Sequence, residues 1–377
     1  MVKKLAPVIV PVLLALAGFL VFYILRGEDF IRSAYNGDSP AWFTGVVEAF
    51  YPRFFAEKNR LDLDFFITKA NQVALRFSLV VLLSLLVYTW WQLSNGFKKG
   101  LEEFTGKITT IHNVYILRMV FYLILIIATR DVYQDLRALQ FLEEFYKPLG
   151  LLKILHLPFP GKQVSFLIYG FLFLSAILVI FGIKPVFFSC TAALAFIAYQ
   201  AYLFSFEKID HGYAPFTYAA MLFPFLLWER YLSKKREEVY FTSWSLKLIL
   251  IVTCLVYFIS GLEKLLMSGF GWLDPETFRT YLYIHKTDLG MRIIDNNFLM
   301  RLLPFLAWVL QLSFPVILFY DKAKYIILPA GIAFHIGTVM LLGISSIENP
   351  WLFNYIFFFD WSKAGEKLAV LPAYFRT

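Results

Sequence analysis

Nine apolar stretches recur along a chain of 377 residues, each close to the roughly 20 residues that a helix needs to cross a bilayer. They lie near 5–25, 73–93, 114–129, 164–183, 185–206, 215–229, 245–266, 302–320 and 325–343. A shorter run, 350–361, reads as a tenth span, a re-entrant piece or an interfacial helix. Hydrophobic residues make up 59% of the chain and charged residues only 16%, against roughly 25% charged in a soluble domain. So little charge cannot cover so much apolar surface in water. The runs lack the period-two alternation of transmembrane strands. The expected fold is therefore all-α: a polytopic integral membrane bundle of about nine transmembrane helices, with the lipid bilayer as its first partner.

The formal charge of +8 reads as basic residues flanking membrane segments, not as a nucleic-acid surface. Lys3 and Lys4 precede the first run, and Lys98, Lys99 and Lys107 follow the second. Lys184 sits between the fourth and fifth runs. Arg230, Lys234, Lys235 and Arg236 follow the sixth, and Lys322 and Lys324 the eighth. If all nine runs cross, every cluster falls on one side, the expected cytoplasmic side, together with the N-terminus. The first run ends Phe22-Tyr23-Ile24-Leu25-Arg26 without a small-x-small cleavage site, so it reads as an uncleaved anchor. The chain divides into an N-terminal transmembrane hairpin with a polar loop, 1–110, and one helical membrane domain, 111–377. A bacterial inner membrane is the expected location. The two cysteines exclude a disulfide framework and a Cys-rich zinc site.

Ionisable groups within a bilayer are costly and mark function by default. Arg118 lies in the third run, about a turn from its end, where snorkelling competes with a functional role. Asp210 and His211 lie in Glu207-Lys208-Ile209-Asp210-His211-Gly212-Tyr213, a very short outer loop. Lys264 lies near the outer end of the seventh run, and adjacent Glu263 faces elsewhere on the helix. His335, in Gly331-Ile332-Ala333-Phe334-His335-Ile336-Gly337, sits too deep to reach either headgroup layer. An interhelical hydrogen bond is its plainest role; no second ligand at helical spacing points to a metal. His211, Lys264 and His335 share the outer half of the expected bundle. A lysine between apolar walls is stripped of water and can act as a base, and a histidine can donate to a developing oxyanion. The 42 Phe, 22 Tyr and 9 Trp can line a site for a flat lipophilic ring. No Gly-rich phosphate loop, CxxC, HExxH or nucleophile elbow occurs.

Residues from about 112 to 361 resemble the membrane domain of vitamin K-dependent gamma-carboxylases, a branch of the horizontally transferred transmembrane (HTTM) domain family. The most specific match is Tyr257-Phe258-Ile259-Ser260-Gly261-Leu262-Glu263-Lys264-Leu265, similar to a carboxylase Tyr-Phe-Ile-Ala-Gly-x-Lys-Lys-Leu stretch. Leu117-Arg118-Met119 through Thr129-Arg130-Asp131, Asp210-His211-Gly212-Tyr213, Phe319-Tyr320-Asp321-Lys322 and Phe334-His335 support it by order and spacing. Trp272 and the amphipathic segment Phe278–His285 follow in the same order. The resemblance implies that Lys264 deprotonates a reduced vitamin K-type naphthoquinone and that His211 stabilises the anion. Oxygenation by O2 then gives a strong alkoxide base, a glutamate loses its gamma proton, CO2 adds, and the quinone ends as an epoxide. His335, Arg118, Asp210 and Tyr257 are the expected substrate-binding residues, with no metal. Two departures bear on peptide carboxylation. Glu263 replaces the first of the paired lysines, and the large non-cytoplasmic region of carboxylases has no counterpart in these residues. The readings in play are a carboxylase-like enzyme, a quinone-binding redox or peptide-maturation factor, and a non-catalytic scaffold. The expected partner is a peptide or protein substrate, or a separate soluble protein.

Overall fold

The computed structural model describes residues 2–50, 54–93, 95–148, 150–206, 213–344 and 350–369. Nine long helices form on the nine apolar runs: α1 (Val2–Phe22), α2 (Leu63–Leu93), α3 (Ile111–Ala128), α4 (Lys162–Ile180), α5 (Pro185–Phe204), α6 (Ala214–Lys235), α7 (Trp244–Ser268), α8 (Asn297–Ser313) and α9 (Lys324–Leu342). Among the described residues, eight helical stretches are long and apolar enough to cross a membrane. The long helix outside that set is α6, where Glu229 and Arg230 within the last two turns dilute an otherwise apolar run. The fold is that of an all-α polytopic membrane bundle. Leu14 (67% exposed) and Leu194 (68%) face outward as lipid-facing side chains do, a surface that water would not tolerate.

The chain forms two compact units. One comprises Met1–Gly100 with Leu262–Trp272, the other Leu101–Gly261 with Leu273–Thr377. In the first, α1 and α2 pack through Phe19 and Phe77, whose rings lie 5.0 Å apart, and Tyr23 donates to Asn71 at 2.8 Å. The expected polar loop between them is itself helical at Glu28–Asn36 and Ala41–Phe50. There Ala34, Val47, Phe54 and Phe66 bury a small core.

The second unit is built on α3 to α9. Thr110 caps α3 by accepting from the Asn113 amide at 3.0 Å, satisfying one of the orphan N–H groups at a helix start. The α4–α5 connection is tight: Gly182 takes φ +77° and Lys184 φ +37°, and Pro185 opens α5, where its missing N–H is no loss. Alanines 192, 193, 219 and 220 are buried on α5 and α6 and let the backbones approach, as small residues do between membrane helices. Phe121, Phe216 and Phe223 fill the centre, with Phe121 stacked on Phe223 at 4.7 Å. Strands β1 (Ile108–Thr110) and β2 (Tyr240–Thr242) make a short antiparallel pair that ties the start of α3 to the start of α7. The run 350–361 becomes a 3-10 helix, Pro350–Phe358. At about 2.0 Å per residue it is too short to span.

Candidate functional site

Tyr257, on α7, and His335, on α9, meet in the interior of the second unit. The Tyr257 hydroxyl lies 2.7 Å from His335 Nε2 and 2.6 Å from the Tyr355 hydroxyl. Tyr355 comes from the short 3-10 helix. All three side chains are buried. A phenol has one proton to give and two lone pairs. Read in one direction, Tyr355 donates to Tyr257 and Tyr257 donates to Nε2; the reverse order holds when Nε2 carries the proton. Burial pushes the Tyr355 phenol above its ordinary range, so it is a neutral donor at physiological pH.

Aromatic walls and a glycine fix this arrangement. Phe314 stacks face to face on Tyr257, with centroids 3.7 Å apart and planes within 6°. Gly331 lies one turn before His335 on α9. A Cβ at that position would sit 2.3 Å from the Tyr355 hydroxyl and 3.2 Å from Phe314. Only a residue without a side chain leaves room there. One turn before Tyr257 on α7, Thr253 accepts from Asn354 Nδ2 at 3.2 Å, and that amide also donates to the Pro215 carbonyl at 2.9 Å. Asn354 is fully buried, and its Oδ1 has no donor among the described residues. An orphaned buried acceptor is costly and is the kind of group that a hydroxyl-bearing ligand or a water satisfies. Phenols, an imidazole and a free amide oxygen among aromatic rings form a neutral donor and acceptor set.

Two of the expected site residues, Tyr257 and His335, thus come together although they lie 78 positions apart. Lys264 lies in the other compact unit, on the last turns of α7. Its side chain is half-buried, and Nζ lies 5.0 Å over the Trp272 ring, a cation–π distance. Glu263 is exposed. Arg118 does not snorkel. It is 1% exposed, lies 5.0 Å over the Tyr115 ring, and reaches the Ile180 carbonyl at the end of α4 at 3.5 Å. Asp210 and His211 lie outside the described residues. Sequence reasoning missed Tyr355, Phe314, Asn354 and Gly331. The polar pair Asn354-Tyr355 inside an otherwise apolar run is the signal that identifies the first of these.

Among the described residues no three His, Cys, Asp or Glu side chains gather as metal ligands. No protein-family model, curated protein or solved structure matches the chain. The fold and site define a polytopic helical membrane protein with a buried Tyr–Tyr–His hydrogen-bond chain centred on Tyr257.

Proposed function

We propose that the protein is a membrane-embedded enzyme that acts on a reduced naphthoquinone. The observation that carries this reading is the buried His335–Tyr257–Tyr355 chain, with the orphaned oxygen of Asn354, the neighbour of Tyr355 in sequence. Burying that many polar groups costs more than packing Leu or Phe in their place, and membrane interiors keep such groups where they serve a ligand or a proton. When bound, a reduced naphthoquinone supplies the electrons that O2 consumes.

The chain's own residues do the rest. Tyr257 holds its one proton toward His335 or Tyr355 along bonds of 2.7 and 2.6 Å. Asn354 Oδ1 accepts from a hydroxyl. Lys264, shielded on one side by Trp272, takes a proton at Nζ when it is neutral. The roles of Lys264 and His211 rest on the carboxylase resemblance, as do CO2 addition and a peptide or protein substrate, whereas the cytoplasmic N-terminus rests on the basic clusters beside the apolar runs.

The test is one incubation with two readouts. Membranes containing the protein receive a reduced vitamin K-type naphthoquinone, O2, labelled CO2 and glutamyl peptide. Epoxide with incorporated label supports carboxylation, and epoxide alone supports a quinone-acting redox or maturation factor. Neither product from folded protein leaves a scaffold and removes the enzyme reading.

A further inference from the structure

At the end of the second unit where α3, α7 and α9 begin, the chain forms a partly open pocket of about 240 Å³. Its apolar lining includes Leu246, Leu250, Phe357 and Phe359, and its charged lining is Lys107, Lys247, Lys324, Asp321 and Asp360. Lys247 (3% exposed) and Lys324 (7%) are both buried, and ammonium groups so far from water need partners.

The partners are unevenly shared. Asp321 gives one oxygen to Lys107 at 2.8 Å and the other to Lys324 at 2.7 Å, and Lys324 also reaches the Phe358 carbonyl at 3.2 Å. Asp360 accepts from the Ser362 amide and hydroxyl. Lys247 has a single hydrogen-bond acceptor among the described residues, the Thr105 carbonyl, and otherwise lies 4.9 Å over the Trp244 ring. The carboxylate that acts on Lys247 through its charge is Glu229, whose oxygens are taken by Ser243 and Ser245. An ammonium has three protons to donate, so Lys247 is under-supplied with acceptors, and the cavity lining itself carries three lysines against two aspartates. Three long helices also point their N-termini at this end, which favours an anion.

We propose that this cavity binds a phosphate-bearing anion, with Lys247 as its principal contact and Lys107 as an outer one. Phosphate offers several acceptor oxygens on one compact centre. The volume admits such a group with a few attached atoms, and the Leu and Phe lining continues it with apolar surface. That combination matches an acidic phospholipid headgroup and, with the same chemistry, free phosphate. The site is independent of the reading given for Tyr257, His335 and Lys264.

The test uses purified full-length protein in neutral detergent, followed by native mass spectrometry and thermal unfolding. Phosphatidylglycerol, phosphatidylcholine and inorganic phosphate are titrated separately. One anion per chain should bind and raise the unfolding midpoint. Lys247→Met should weaken binding about tenfold, and half-exposed Lys107→Ala about threefold. Binding in the phosphatidylglycerol arm assigns a lipid, and binding in the phosphate arm alone assigns a free ion. Both outcomes support the site. It is overturned if neither anion binds, if phosphatidylcholine binds as well as phosphatidylglycerol, or if neither variant changes affinity. Lys107→Ala, at the surface, decides the matter should Lys247→Met fail to fold.

Discussion

Replacing Gly331 by Ala tests the geometry of the buried site most sharply. The new methyl would sit 2.3 Å from the Tyr355 hydroxyl and 3.2 Å from Phe314. Tyr355 must then withdraw by about an ångström to restore ordinary contact, which breaks its 2.6 Å bond to Tyr257. Overpacking a close-packed interior costs about 1–3 kcal/mol, and a lost hydrogen bond adds about 0.5–1.5 kcal/mol. The expected destabilisation is therefore about 1.5–4.5 kcal/mol. It is measured by unfolding purified protein in mixed micelles of neutral detergent and increasing dodecyl sulfate. The control is Tyr355→Phe, which removes the clashing oxygen. If that oxygen is what the methyl meets, the double variant should be at least about 1 kcal/mol more stable than the sum of the singles predicts. Additivity within about 0.5 kcal/mol would refute the claim that Gly331 exists to seat the Tyr355 hydroxyl.

Other consequences are simpler. Tyr257→Phe strips the common partner of His335 and Tyr355 and should cost about 1–3 kcal/mol in the same unfolding assay; a change below about 0.3 kcal/mol would mean the chain adds nothing to stability. Leu117→Ala, at a position with 0% exposure, should cost about 2–5 kcal/mol, and a neutral result would show that α3 is not central to the bundle. Thr110→Ala removes the α3 cap and should cost about 0.5–2 kcal/mol, with faster hydrogen exchange confined to the first turn of α3; unchanged exchange there would remove the cap.

The membrane architecture was legible because lipid imposes a simple rule on sequence. A span must be long and apolar, and each of the nine runs became a helix. The rule weakens at α6, where Glu229 and Arg230 interrupt the apolar pattern because they serve neighbours: Glu229 holds Ser243 and Ser245, and Arg230 donates to the Ile111 carbonyl at 3.1 Å. The segment 26–72 read as a polar loop because its helices are short and amphipathic, with apolar faces that only tertiary packing reveals. His335 stood out from its depth alone. Its partner was not readable, since nothing local links position 335 to positions 257 and 355. Arg118 shows the opposite error: its distance from the helix end allowed snorkelling, but the end of α4 and the Tyr115 ring enclose it. Lys264 was singled out through a short motif, and its contact with Trp272 depends on the turn that follows α7.

Product analysis on purified protein in lipid nanodiscs bears most directly on the proposed chemistry. A reduced vitamin K-type naphthoquinone is supplied under O2, and the epoxide is quantified for wild type and Lys264→Ala. Wild type should accumulate epoxide, and the variant, with an unchanged unfolding midpoint, should lose about 100-fold or more of that rate. Wild-type turnover by Lys264→Ala, or no epoxide from folded wild-type protein, would contradict the account.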